Sequence, residues 1–117
     1  MTEQQISAQL DELITMMAAS KALETFDKFY HDDLEKTDLD ETTHKGKDIN
    51  RKNGEELLSK VKAVRDFTAV GKIVKGNQSF LVWSLDYDHA DNGPSKVVEV
   101  AIQDWQDGKI IRERYVA

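Results

Sequence analysis

The side chains best suited to chemistry lie mostly in the second half of the chain. Glu99 and Glu113, if enclosed together, would have pKa values raised by desolvation and mutual repulsion, which suits a general acid or base near neutral pH. The commoner outcome for such carboxylates is to face solvent or to bond a basic neighbour across a sheet, and Asp86 has the same two outcomes open. Tyr30 and Tyr115 each bring a hydroxyl to an apolar stretch, and Tyr30 could donate a hydrogen bond to a substrate oxygen. Trp83 and Trp105 offer flat faces for stacking on a ligand, and Gln103 offers an amide between them and the carboxylates. Such aromatics serve more often as core, where a buried tyrosine also needs a polar partner.

Other chemistries find no support. His31, His44 and His89 with Asp32, Asp33, Asp38 and Asp40 lack the spacing of a His-Glu-x-x-His helix, and Asp38-Leu39-Asp40 lacks the glycine and final glutamate of a calcium loop. No metal site is expected, and no cofactor. Gly71 to Gly76 is followed by Asn77 where a phosphate-binding loop needs lysine. A Gly-x-Ser-x-Gly elbow is absent, and with no cysteine the chain has neither disulfides nor thiolate chemistry.

Three helices and four strands must position these residues. Thr2 and Gln5 form a capping-box pattern ahead of Ile6, Leu10, Leu13, Ile14 and Met17, whose spacing predicts an amphipathic helix. Ser20 is placed to cap a second helix carrying Leu23, Phe26, Phe29 and Tyr30 on one side. His31 to Lys47 reads as a polar connection with a short strand around Leu34. Asp48 is the expected cap of a third helix with Ile49, Leu57, Leu58, Val61 and Val64, continuous through Asn53-Gly54. Phe67–Lys75, Ser79–Tyr87, Val97–Trp105 and Lys109–Val116 then read as an antiparallel meander.

The last turn decides which residues meet. A three-residue loop, Gln106-Asp107-Gly108, would put Trp105, Gln103, Ala101 and Glu99 on one face with Ile111, Glu113 and Tyr115. A two-residue loop would instead set Ile110, Arg112 and Arg114 beside Trp105. Along Ser79–Tyr87, Leu81, Trp83 and Leu85 share one face while Phe80 and Val82 share the other, so both faces of the sheet should be covered. Helices can cover only one, and a symmetric homodimer through the other is expected.

The chain has 117 residues and a net charge of -6, which predicts one acidic α+β domain over 1–117 and opposes binding to nucleic acid or anionic lipid. Neither a secretory signal nor an apolar run of about 18 residues is present, so a cytoplasmic protein is expected.

Three stretches in this order, Phe29-Tyr30-His31-Asp32-Asp33-Leu34, Lys45-Gly46-Lys47 and Trp105-Gln106-Asp107-Gly108-Lys109-Ile110, resemble the SnoaL-like branch of the nuclear transport factor 2 superfamily. The resemblance implies a cystatin-like cone: a curved antiparallel sheet of about four main strands wrapped around three N-terminal helices, often dimeric, with a pocket inside. Relatives include isomerases, cyclases and hydratases alongside non-catalytic association domains, so fold does not fix function. On this basis the chain is expected to hold a small, largely apolar molecule, with Glu113 and Glu99 as candidate acid/base groups. Tyr30, Trp83, Asp86, Gln103, Trp105 and Tyr115 are the candidate ligand contacts. The alternative is a dimerisation or association domain without catalysis.

Overall fold

A computed structural model describes residues 1–117. Helix α1 (Glu3–Ala18) opens with the expected reciprocal cap, in which the Gln5 amide N–H donates to Thr2 Oγ1 at 3.1 Å and the Thr2 N–H to Gln5 Oε1 at 2.8 Å. Its apolar stripe buries Ile6, Leu10 and Leu13. Helix α2 (Ala22–Phe29) departs from expectation at its start, because Lys21 is the N-cap and no side chain caps it. Ser20 takes φ +62° in the turn that closes α1, where its backbone N–H bonds the Met17 carbonyl, so it belongs to the end of α1 and not to the N-cap of α2.

The polar stretch after α2 is more regular than its composition suggests. Strand β1 (Tyr30–Thr37) continues directly from the helix, and β2 (Thr43–Lys45) folds back on it. Helix α3 (Lys47–Lys60) runs unbroken through Asn53-Gly54, as expected, but its N-cap is Gly46 at φ +101°, with Asp48 one residue inside the first turn. Its only buried side chain is that of Asn50, which clamps the carbonyls of His44 and Gly46 at 3.0 and 2.8 Å. Ile49, Leu57 and Leu58 are exposed, so the third helix does not carry the core face that its aliphatic residues implied. Val61 and Val64 belong to strand β3 (Val61–Lys75), which starts at Val61 rather than Phe67.

Strands β4 (Gln78–His89), β5 (Gly93–Gln106) and β6 (Lys109–Val116) complete the meander. The sheet has six strands in the order β2-β1-β6-β5-β4-β3, all neighbours antiparallel except β1 and β6, which are parallel. The architecture is thus the expected α+β cone: the short strand expected around Leu34 is β1, β2 is additional, and α3 lies between β2 and β3 rather than ahead of the sheet. The helices occupy one face: Lys72 of β3 reaches Ser7 and Asp11 of α1, and Glu3 accepts from the Gly76 N–H at 2.9 Å. That face carries the core, with Leu34, Leu81, Trp83, Ala101, Trp105 and Ile110 packed on Ile6, Leu10, Leu13 and Phe29. None of the helices is long and apolar enough to cross a membrane.

The last hairpin combines both registers considered from sequence. Asp107 and Gly108, at φ +56° and +79°, make a two-residue turn that pairs Gln106 with Lys109 and Trp105 with Ile110. A bulge follows: Asp104 pairs with Arg112, leaving Ile111 as the additional residue. Gln103 therefore faces Glu113 and Ala101 faces Tyr115, while Arg112 and Arg114 project outwards and are exposed.

Two glycines separate conformational need from tolerance. Gly108 requires its left-handed φ, whereas Gly54 lies in helical backbone with open space where a Cβ would stand. Gly108→Ala should lower unfolding stability by about 1 kcal/mol or more, and Gly54→Ala should raise it by about 0.5–1 kcal/mol; urea unfolding of the two variants measures both.

Candidate functional site

Six side chains on the helix-covered face form one connected hydrogen-bond network. The Trp105 indole N–H donates to Ser79 Oγ at 2.8 Å, Ser79 donates to Gln103 Oε1 at 2.7 Å, and Gln103 Nε2 donates to Glu113 Oε2 at 2.8 Å. Glu113 also accepts from the Tyr30 hydroxyl at 2.6 Å and from the Tyr115 hydroxyl at 2.9 Å. Each position follows from strand alternation: Ser79, Gln103 and Glu113 are successive partners across β4, β5 and β6. Tyr30 enters from the junction of α2 and β1, its ring stacked on Phe26 at a centroid distance of 4.7 Å.

Burial sets the electrostatics. Glu113 is 2% exposed and accepts three hydrogen bonds, all from neutral donors. Burial, and then the charge of Glu113, push the Tyr30 and Tyr115 hydroxyls well above the ordinary phenol range, so both remain neutral donors. Glu99 sits two residues from Ala101 on the same face, directly across from Trp83. Its pKa is raised, first by burial and then by the charge of Glu113, while Lys36 pulls it the other way. Neither a hydrogen bond nor an ion pair holds the Glu99 carboxylate.

Of the residues singled out from sequence, Tyr30, Gln103, Trp105, Glu113 and Tyr115 are thus joined in one network, and Glu99 and Trp83 adjoin it. Asp86 is not: it lies on the opposite face with Ser84 and Val82, ion-paired to Arg65 at 2.9 Å. Ser79 and Lys36 escaped sequence reasoning. Ser79 links Trp105 to Gln103, and Lys36 pairs with Glu113 across the parallel strands and holds its ammonium 5.3 Å from the Tyr115 ring centroid. Only the strand register marks either one, and in a polar stretch with few aliphatic residues the register of β1 could not be read. His44, opposite Lys36 on β2, has a buried Nδ1 with no partner. No group of three or more histidine and carboxylate side chains is arranged to hold a metal. A surface hollow of about 330 Å³ lies beyond the end of β6, between Asp38, Leu39, Arg114 and Tyr115, so Tyr115 borders both it and the network.

The family model described as a SnoaL-like domain matches residues 1–117. The chain belongs to the SnoaL-like family. No functionally curated protein matches this SnoaL-like chain. Among solved structures it is similar to a Mesorhizobium loti protein provisionally named a SnoaL-like polyketide cyclase, at 21% identity and a TM-score of 0.87, with 100% of each chain covered. A Bacillus subtilis protein provisionally named an isomerase gives 14% identity and a TM-score of 0.77 over 99% of this chain and 88% of that one. A Catenulispora acidiphila protein with a ketosteroid isomerase-like fold, in complex with trimethylamine, gives 13% identity and 0.73 over 91% and 85%. At these identities the likeness establishes the fold of this SnoaL-like domain alone.

Two substitutions test the electrostatics. Glu113→Gln turns an amide NH₂ towards donors and should cost about 1–3 kcal/mol of stability, read by chemical denaturation. For Glu99 the folded-state pKa is raised, so its favourable contribution is present below the ordinary carboxyl range and lost as pH rises through the folded value. Ionised Glu99 therefore opposes folding at neutral pH. Glu99→Gln should raise the melting temperature at pH 7 and give no gain at pH 3; an equal gain at both values would contradict this assignment.

Proposed function

We propose that the protein binds a small, largely apolar molecule on the concave, helix-facing side of its sheet. Glu113 and Glu99 are the groups that perform acid/base chemistry on it, of isomerase, cyclase or hydratase type. The observation that carries this reading is the Glu113 carboxylate, buried, met by three neutral donors and placed within one apolar face with a second, unpaired carboxylate. Glu113 Oε1 accepts only the Tyr115 hydroxyl and keeps a lone pair with which to take a proton from a carbon acid or a water. Returning that proton to a different atom of the substrate completes an isomerisation with no other reactant. Trp83, Trp105, Tyr30 and Tyr115 supply the apolar surround such a pocket needs, with few polar groups to fix orientation. Trimethylamine in a protein of the same fold is a guest of the size considered.

A second reading, an association domain, is favoured by the outer face of the sheet. Ile73 and Val98 are 64% and 58% exposed there, flanked by Phe80, Val82, Val100 and Ile102. Burying this face against a second copy would make the homodimer expected from sequence, and both readings can hold in one molecule. A chain without cysteine suits a reducing compartment, and the cytoplasm is the proposed location.

Native mass spectrometry of protein purified from its own cells should show a dimer with one retained small molecule per subunit. A turnover assay on the identified molecule should lose activity in Glu113→Gln by about 10²-fold or more, whereas a dimer that returns empty and ignores added candidates would favour association alone. Val98→Glu should yield monomers in sedimentation if the outer face forms the dimer.

A further inference from the structure

We infer that the molecule bound on the concave face carries a methylated ammonium group, seated against the Glu99 carboxylate between the rings of Trp83 and Tyr115. The inference rests on the preceding reading of that face and names the chemical class of its ligand. Four observations carry it.

Glu99 and Trp83 are direct partners across β5 and β4, so their side chains stand next to each other on the inner face. Trp83 is itself braced by Phe67, whose ring lies at a centroid distance of 4.7 Å and an interplanar angle of 40°. Tyr115 pairs with Ala101, two residues from Glu99, which makes it the diagonal neighbour on the other side. A carboxylate is thus flanked by aromatic rings on adjoining strands.

The second observation is that Glu99 has no protein partner, although it faces inwards and is partly buried. Ionised carboxylates in such positions are ordinarily paired, because desolvation without a partner is costly. Charge balance around it is the third. The carboxylates facing this region are Glu99, Glu113 and Asp38, against the single ammonium of Lys36, an excess of two negative charges. Lys72, the other inward lysine, is taken up by Asp11 of α1. Fourth, the protein already seats an ammonium in this setting: Lys36 Nζ lies over the Tyr115 ring at 5.3 Å and within 3.8 Å of Asp38. An aromatic surround with one carboxylate favours a methylated ammonium, which needs no hydrogen-bond acceptors, over a primary amine, which needs up to three. An anionic ligand would meet the repulsion of all three carboxylates.

The test uses choline and its uncharged isostere 3,3-dimethyl-1-butanol on the full chain, followed by calorimetry and by the NMR shift of the Trp83 indole N–H. Choline should bind about tenfold or more tightly than the alcohol, move the Trp83 resonance, and lose that advantage in Glu99→Gln, which should fold at least as well as the parent. Retention of the full advantage in Glu99→Gln would overturn the assignment, and Glu99→Ala serves as the second variant. Equal binding of the two probes would overturn the ammonium class while leaving an apolar concave site intact. Absence of any choline binding at tens of millimolar would also overturn it, and the retained-molecule measurement above would then judge the concave site independently.

Discussion

A buried carboxylate that must be surrounded by donors constrains much of this structure. Indole N–H can only donate, so Trp105 fixes Ser79 as acceptor there and sends the serine proton to Gln103. That in turn orients the Gln103 amide with its NH₂ towards Glu113, and two phenol hydroxyls complete the set. Every bond in the chain has one permitted direction, and all of them end on Glu113. A chain of donors needs an acceptor at its end, and the two carboxylate oxygens of Glu113 are the acceptors that close it.

Satisfying that terminus demands accuracy from the backbone. Glu113 reaches the network because a two-residue turn is followed by one surplus residue, so Ile110 and Glu113 both face inwards although they are three positions apart. A strand of strict alternation would bury Arg112 instead. Tyr30, distant in sequence, arrives through the parallel pairing of β1 with β6, which sets it opposite Ile110. Helices, turn, bulge and a parallel strand pair thus converge on one side chain.

How much of this the sequence reveals depends on the kind of signal. Apolar periodicity marks α1, the meander and the inner row of Leu81 and Trp83, because burial needs a repeating pattern. The inward placement of Glu113 and Tyr115 was one of two registers, and the bulge that reconciles them has no residue type of its own. A short strand around Leu34 is legible, but the full extent of β1 and its parallel pairing are not, because Tyr30 and Leu34 are the only buried residues among polar and charged ones. Helix α3 misleads in the opposite direction: Ile49, Leu57 and Leu58 suggest a core face, yet Asn50 is what the fold buries there. Asp86 looked equivalent to Glu99 in composition, and a single step of alternation separates the ion-paired carboxylate from the unpaired one.

The parallel pairing of β1 with β6 also governs when the site can exist during folding. Tyr30 and Glu113 are separated by 83 positions, and β6 is the strand that seats itself between β1 and β5. Until it does, β1 and β5 each present an open edge, and the donors intended for Glu113 have nothing to bind. Contacts of such separation are closed late and slowly. The same insertion that assembles the network therefore removes two sticky edges, so a partly folded chain both lacks the network and is prone to pair with its neighbours.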